Sequence, residues 1–351
     1  MARSKRAGRR IIVDCDPGQD DAIALLLAFG AGTALQIIGI TTVGGNVGIE
    51  LTERNARLVC ELAGRMDAKV YAGCARPMVR EPIVADYYHG PTGMGGFEIR
   101  APKVPLQAGH AVDWLVRTLM AEPDRSVSLA CLAPITNIAM AVVMEPRIAA
   151  KIEQVVFMGG AQREGGNTTP TSSFNVFCDP HAAHVVLSSG VPMVFVNLDV
   201  THQLVMTRER LAAIASIGNK AAATTHAMLT WDHARRLAKY GAGAAGLPVS
   251  DLSVIAYLLE PKFFKGRELN VLVELSSGPT LGQTIVDVWG LTDRKPNALW
   301  LQTAEADEVF DLLVRVLSDC DDSLPRREIS ELLDFAGDLV CPRSGPAKRG
   351  E

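Results

Sequence analysis

The composition of this chain fits one large α/β domain that binds a small molecule. With 351 residues, 48% of them hydrophobic, the chain can bury a sizeable core, and no repeat or low-complexity linker divides it. A net charge of −4 and a pI near 6.0 give no electrostatic support for binding nucleic acid or an anionic membrane.

The first predicted strand, residues 11–13, runs directly into a dense group of acidic side chains. The next eight positions contain four carboxylates: Asp14, Asp16, Asp20 and Asp21. An apolar helix is predicted over 22–29, and acidic groups suit a helix N-terminus, so capping accounts for Asp20 or Asp21. Capping leaves the other two unpartnered, and clustered carboxylates repel each other unless a cation lies between them. The stretch predicts either turn and capping chemistry or a cation site.

Predicted strands and helices alternate along the rest of the chain. The strands are residues 35–43, 69–71, 126–131, 154–158, 192–197, 269–275, 284–288 and 298–301. The helices are residues 49–63 with Gly64 as a stop, 108–121, 135–144, 179–189, most of 208–240, a helix opened by Asp251 after a glycine-rich break at 241–246, and 305–317. This alternation predicts a single-domain, Rossmann-like α/β fold, with a mostly parallel open sheet covered by helices on both faces.

Polar residues follow several of these strands. They are residues 14–21, Asn46, the turn after Cys131, and residues 167–175. In open α/β sheets, ligands bind at the carboxyl ends of the strands, so these segments are expected to converge on one crevice. Residues 73–105 form a long connection rich in proline and glycine, which predicts a functional loop.

The domain is expected to span residues 11–320, with disordered tails at 1–10 and 340–351. The basic first ten residues precede an apolar run that is too short for a signal-peptide core or a membrane span. Seven scattered cysteines argue against a complete disulfide framework, so a cytoplasmic protein is expected.

The string DCDPGQDDAIALLLA at residues 14–28 resembles the N-terminal signature of the nucleoside hydrolases. These inosine-uridine preferring ribonucleoside hydrolases use calcium to cut the N-glycosidic bond. Five further stretches resemble the family in the same order: GGNVGIELTERNA (44–56), HGPTGMGG (89–96), APITNIAMA (133–141), FMGGA followed by FNVFCDPHAA (157–183), and SDLSVIAYLLEP (250–261). Together they cover about residues 11–300.

This resemblance implies a Ca²⁺ site and a catalytic base. Asp16, Asp21 and Asp251 would supply carboxylates and Leu132 a backbone carbonyl, which are the oxygen ligands that Ca²⁺ takes. Asp16 would activate a water molecule on the cation. On its local pattern alone, Asp251 is equally a helix N-cap. Asn137 is interpreted as a residue of a helix first turn rather than as a ligand.

The resemblance also implies the residues that contact substrate. Asp20 would accept hydrogen bonds from the ribose hydroxyls, and Asn46, Asn167 and Asn175 would complete the polar contacts of the sugar. Taken singly, each asparagine is more typical of an ordinary turn. The candidates for contact with the leaving base are His89, Tyr87 and Tyr88 in the long loop, and Trp231, His233 and Tyr240 before Asp251.

Two positions depart from the family pattern. Ser173 stands where the family usually has a glutamate that holds the 5′-hydroxyl, so a differently substituted 5′ group is a possible substrate feature. Ser250 stands where many members have a histidine that helps to protonate the leaving base. A serine cannot serve as a general acid near neutral pH.

Two other functions remain open on the sequence. A haloacid dehalogenase-type phosphatase also has Asp-x-Asp after its first strand, but Pro17, Gly18 and the following acidic pair fit that loop poorly. A non-catalytic nucleoside or sugar sensor could keep the metal crevice without the acid. The family resemblance implies nucleoside salvage and a homodimer or homotetramer, with no nucleic-acid or membrane partner.

Overall fold

The strands of the protein form one large sheet and two short ribbons. The structure is a computed structural model that describes residues 8–95, 100–240, 246–276 and 278–320, without the side chains at 236 and 238–240. The described strands are β1 (Arg9–Cys15), β2 (Leu35–Thr42), β3 (Val70–Ala72), β4 (Val127–Cys131), β5 (Ile152–Met158), β6 (Met193–Val196), β7 (Val205–Met206), β8 (Leu247–Pro248), β9 (Phe264–Leu269), β10 (Val271–Val273), β11 (Thr284–Val286) and β12 (Ala298–Ala304).

The large sheet has the order β3-β2-β1-β4-β5-β6-β12-β9. Its strands are parallel except for β9, which runs antiparallel to β12 at one edge. The ribbons pair β7 with β8 and β10 with β11. The predicted fold class, a mostly parallel sheet in an α/β protein, is therefore confirmed.

Helices cover both faces of this sheet. They are α1 (Gln19–Gly30), α2 (Ile49–Leu62), α3 (Asp86–His89), α4 (Ala111–Ala121), α5 (Thr136–Met144), α6 (Phe174–Cys178), α7 (Pro180–Ser188), α8 (Leu198–Thr201), α9 (Arg208–Ala215), α10 (Lys220–Tyr240), α11 (Leu252–Leu259) and α12 (Ala306–Ser318). No helix in the described ranges has the length and apolar character needed to cross a membrane.

Strand β1 shows how the two cores form. Ile11 and Val13 pack into the cluster that contains α1, α11 and α12, whereas Ile12 packs into the opposite cluster with α4, α5 and α7. Successive side chains of a strand point to opposite faces, so a strand buried on both faces must be apolar at every position. This burial explains the continuous apolar run that predicted β1.

The predicted strand at residues 269–275 is confirmed only in part, because β10 occupies Val271–Val273 and Leu269 ends β9. The structure divides this region between β9 and β10, which belong to different sheets. Asn270 lies at the break, where its backbone carbonyl accepts from the N–H of Asp287 and its side-chain amide donates to the carbonyl of Lys295. The antiparallel edge strand β9, helix α6 and the short ribbon strands β7 and β8 were not predicted. The predicted N-terminal tail is wrong at Arg9 and Arg10, which begin β1. Residues 1–7, the predicted C-terminal tail and most of the 241–246 break lie outside the described residues.

Candidate active site

Three carboxylates meet where helix α1 begins. Asp20 and Asp21 lie in the first turn of α1, and Asp251 immediately precedes α11, which packs against α1. One oxygen of each lies within 4.8 Å of the others. Asp251 occupies the N-cap position but makes no capping hydrogen bond; its carboxylate lies beside that of Asp21 instead. The packing of α1 on α11 thus joins carboxylates from opposite ends of the chain.

Asp16 lies beside this trio, in the turn between β1 and α1. Its backbone N–H donates to Asp21 Oδ1 at 3.1 Å, and its Oδ2 accepts from the backbone N–H of Asn46 at 2.7 Å. The Asn46 amide donates to the Asp16 carbonyl at 3.2 Å and to Asp21 Oδ2 at 3.1 Å. A Cβ atom on Gly45 would lie 2.0 Å from Asp16 Oδ2, so only glycine fits at that position. The β2–α2 turn therefore fixes the Asp16 carboxylate.

The acidic site carries charge that the protein itself does not compensate. Burial and repulsion from Asp21 raise the pKa of Asp16 well above its usual value, and burial and repulsion from Asp20 do the same for Asp251. Burial raises the pKa of Asp21 to about 7, with a further contribution from Asp20. The Oδ1 atom of Asp20 is buried without a hydrogen-bond partner among the described residues. A cation would remove these penalties because it stabilises the ionised carboxylates.

The carbonyl of Leu132 lies at the same edge, just after β4. The side-chain amide of Asn175 donates to it at 2.6 Å and to the Met158 carbonyl at 3.0 Å. Asn175 therefore ties the ends of β4 and β5 together.

A cavity with about 920 Å³ of empty space, including space open to solvent, lies over these strand ends. Ten residues named from the sequence line it: Asp20, Asn46, Tyr87, Tyr88, His89, Leu132, Asn167, Asn175, Ser250 and Asp251. The predicted convergence at the carboxyl edge of the sheet is thus observed. Asp16 and Asp21 are almost completely buried behind that lining.

Residues 11–311 match the family described as inosine-uridine preferring nucleoside hydrolase. The chain belongs to this family. It is therefore an N-glycosyl hydrolase of ribonucleosides, and this membership argues against the phosphatase interpretation.

Known nucleoside hydrolases resemble the chain over most of their length. The pyrimidine-specific ribonucleoside hydrolase RihB of Escherichia coli O157:H7 is 38% identical over 87% of this chain and 96% of its own. An uncharacterised protein of Schizosaccharomyces pombe is 40% identical over 88% of this chain and 98% of its own. The structure of a purine-preferring ribonucleoside hydrolase from Gardnerella vaginalis matches with a TM-score of 0.81 at 27% identity, covering 88% of this chain and 98% of that one.

Among the described substrate candidates, Ser173, Trp231 and His233 do not line the cavity of this nucleoside hydrolase. The Ser173 hydroxyl accepts from the backbone N–H of Gly160 at 2.7 Å and is almost fully buried. Trp231 packs against Gly95, where any side chain larger than hydrogen would place its Cβ 2.7 Å from the indole ring. The side chain of Tyr240 lies outside the described residues. The serine at 173 therefore stabilises the turn after β5, away from the cavity.

Asp14 also separates from the acidic site. Its Oδ1 accepts from the Thr41 hydroxyl at 2.6 Å and from the Asn137 amide at 2.8 Å. Asn137 also donates to the Thr42 carbonyl and accepts from the N–H of Cys74. Asn137 is a first-turn residue of α5, as predicted, and it cross-links β1, β2 and the loop after β3.

The sequence analysis missed His202, which lines the cavity. Its Nδ1 lies 3.3 Å from Glu164 Oε2. Asp199 organises the opposing loop, because its Oδ1 accepts from the N–H groups of Gln162, Arg163 and Glu164. No motif spacing in the sequence indicates His202 and Glu164, which tertiary packing brings together.

Proposed function

We propose that this nucleoside hydrolase uses Ca²⁺, with Asp16, Asp21, Asp251 and the Leu132 carbonyl as ligands and Asp16 as the catalytic base. The observation that carries this proposal is the convergence of buried carboxylates whose pKa values are raised. No ion pair to lysine or arginine offsets their charge within the described part of the chain. Among hydrolytic sites, this donor set is typical of a hard cation.

The donor chemistry favours calcium over softer metals. The available atoms are carboxylate and carbonyl oxygens, and the nearest thiol, Cys15, is fully buried. Burial and the neighbouring Asp21 charge raise the pKa of the Cys15 thiol well above its usual range, which disfavours a thiolate ligand. Asp20 belongs to the compact carboxylate trio, yet we assign it to the ribose because it lines the cavity, whereas Asp16 and Asp21 lie buried behind that lining.

In this proposal, Asp16 takes a proton from the attacking water. Bound Ca²⁺ would make that water more acidic. One Asp16 oxygen is occupied by the Asn46 N–H, so the other is left for the water. Attack from this side expels the base from the opposite side of the sugar carbon, through an oxocarbenium-like transition state. The products are ribose and a free base, which suits nucleoside salvage.

Asn175 and Asn167 offer different atoms of their side-chain amides to the sugar. The Asn175 amide nitrogen is committed to the Leu132 and Met158 carbonyls, so its oxygen remains as an acceptor. Asn167 is the reverse, because its oxygen accepts from the Phe174 N–H at 2.8 Å and its nitrogen remains as a donor. Ribose hydroxyls both donate and accept, so they can use both groups.

The test is ribose release from uridine, cytidine, inosine and adenosine, with added Ca²⁺ and with a chelator. We expect activity that the chelator removes and Ca²⁺ restores. The Asp16→Asn variant should lose at least about 10³-fold in kcat, because loss of an essential base typically costs about 10² to 10⁴. Asp251→Ala should also lose bound Ca²⁺, measured by calorimetry.

The matched control is Asp14→Asn, which alters a buried carboxylate two residues away that does not line the cavity. It should retain most of the activity. Full activity of Asp16→Asn, or undiminished turnover in chelator, would overturn the proposal.

A further inference from the structure

A buried hydrogen-bonded pair, Gln19 and His89, lies next to the acidic site. Gln19 is the first residue of α1, and His89 is the last residue of α3 and lines the cavity. His89 Nδ1 lies 2.7 Å from Gln19 Oε1, and Gln19 Nε2 donates to the His89 backbone carbonyl at 3.3 Å. The exposed fractions are only 1% for Gln19 and 6% for His89, so water does not compete for these bonds.

The two contacts together determine which way the Gln19 amide points. Its nitrogen must face the His89 carbonyl, because the reverse orientation would bring two oxygen atoms together. Its oxygen must then face His89 Nδ1. An amide oxygen can only accept, so Nδ1 must carry the proton.

The other ring nitrogen of His89 is left for the cavity. The Nδ1–Cε1 edge packs against the start of α1, where a Cβ on Gly18 would lie 2.5 Å from Nδ1 and 2.8 Å from Cε1. No hydrogen bond to Nε2 exists among the described residues. Burial lowers the pKa of His89, so the neutral ring predominates near neutral pH. A neutral ring with its proton on Nδ1 carries a lone pair on Nε2.

We propose that Gln19 is a positioning residue that holds His89 in the Nδ1–H tautomer, so that Nε2 accepts a hydrogen bond from a ring N–H of the nucleobase. His89 then recognises the base and does not protonate it. Uracil and hypoxanthine have a ring N–H where cytosine and adenine have a lone pair, so the contact selects the first two. The aromatic side chains of Tyr87 and Tyr88 beside His89 suit the flat base.

The inference rests on the nucleoside hydrolase activity but not on the identity of the metal. A direct test is the tautomer of His89, read from ¹⁵N chemical shifts of the ¹⁵N-histidine-labelled protein. We expect a protonated Nδ1 and an unprotonated Nε2 in the wild type. Gln19→Leu removes both bonds, so the His89 proton should redistribute toward Nε2. An Nε2–H tautomer in the wild type would overturn the inference.

Selectivity supplies the functional test. The ratio of kcat/KM for uridine to that for cytidine should fall about 10-fold in Gln19→Leu, as expected when one buried hydrogen bond no longer discriminates. A ratio unchanged in Gln19→Leu would contradict the inference.

p-Nitrophenyl riboside separates this inference from the proposed catalytic mechanism, because its leaving group has no ring N–H. Gln19→Leu should cleave it within about 3-fold of the wild-type rate. Equal losses on this compound and on uridine would mean that His89 contacts the sugar, which also overturns the inference. Failure of the proposed mechanism would look different: chelator or Asp16→Asn would leave p-nitrophenyl riboside cleavage unchanged.

Discussion

The hydrogen-bond partners of each carboxylate show whether it belongs to the acidic site or to the buried core. Asp16, Asp20, Asp21 and Asp251 gather at the cavity, whereas Asp14 bonds to Thr41 and Asn137. The local pattern of charges indicated a cation site without making this division, which came only from the family resemblance. The partners of Asp14 come from β2 and α5, which are too far along the chain for a local sequence pattern to predict these contacts.

Asp14 should make stability depend on pH. Burial raises the pKa of Asp14 from 3.8 to about 6. A carboxyl group whose pKa is raised on folding stabilises the protein below the unfolded value, and this contribution is lost as pH rises through about 6. The melting temperature of Asp14→Asn relative to wild type should therefore increase from about pH 4 to about pH 8. A difference that stays constant over this range in thermal denaturation would contradict the prediction.

Ser250 should make the rate depend on the leaving group. It lines the cavity beside Asp251, but its hydroxyl is too weak an acid to protonate a leaving group near neutral pH. We expect p-nitrophenyl riboside, whose leaving group needs no proton, to be cleaved at least about 10²-fold faster than inosine or uridine. Steady-state kinetics would measure the rates. Equal rates would reveal an efficient acid, and His202 would be the cavity residue to replace first.

At the scale of elements, the Arg235 side chain of helix α10 contacts helix α3. The Arg235 guanidinium donates to the Tyr87 carbonyl and lies over the Trp231 ring, 5.4 Å from its centroid. The long connection at 73–105 therefore contains an anchored helix beside the cavity. The sequence predicted a functional loop there but not its anchor, because Arg235 lies far along the chain.

Removing this anchor should loosen the wall of the cavity. Arg235→Ala should increase hydrogen exchange at residues 86–89 and raise KM several-fold, with a smaller change in kcat. A bound nucleoside analogue should restore protection, because the segment is expected to order on ligand binding. Arg117→Ala, on the surface of α4, is the matched control and should change neither quantity. Unaltered exchange in Arg235→Ala would argue against the anchor.

Most elements were predictable because their signals are local. Gly64 ends α2 with φ +67°, as a glycine stop requires, and the apolar runs of the parallel strands identified them. The edge strand β9 was not predicted because buried and exposed residues do not alternate along it: four of its six residues are exposed. Its position depends on pairing with β12, which no local pattern encodes.

At the scale of the whole molecule, an exposed apolar patch supports the proposal of a homodimer or homotetramer. Trp289 is 85% and Leu291 is 84% exposed in the turn after β11. Asp287 holds this turn in place by accepting from the N–H groups of Leu291 and Thr292. Large apolar side chains fixed on a surface are typical of an interface.

Polar replacement of this patch should shift the oligomeric state. The double variant Trp289→Ser, Leu291→Ser should have a lower mass than wild type in light scattering after size-exclusion chromatography. Val79→Ser, which changes an isolated residue that is 62% exposed, is the matched control and should keep the wild-type mass. A monomeric wild type, or a double variant of unchanged mass, would contradict this prediction.

The joining of Asp21 and Asp251 by the packing of α1 on α11 also constrains folding kinetics. The two residues come from the first and last thirds of the chain, so their contact closes a long loop that contains most of the strands of the large sheet. Contacts between distant residues tend to form late, because closing the long loop between them costs entropy. A cation held by both carboxylates would thus bind after the transition state. It would slow unfolding and leave the folding rate almost unchanged.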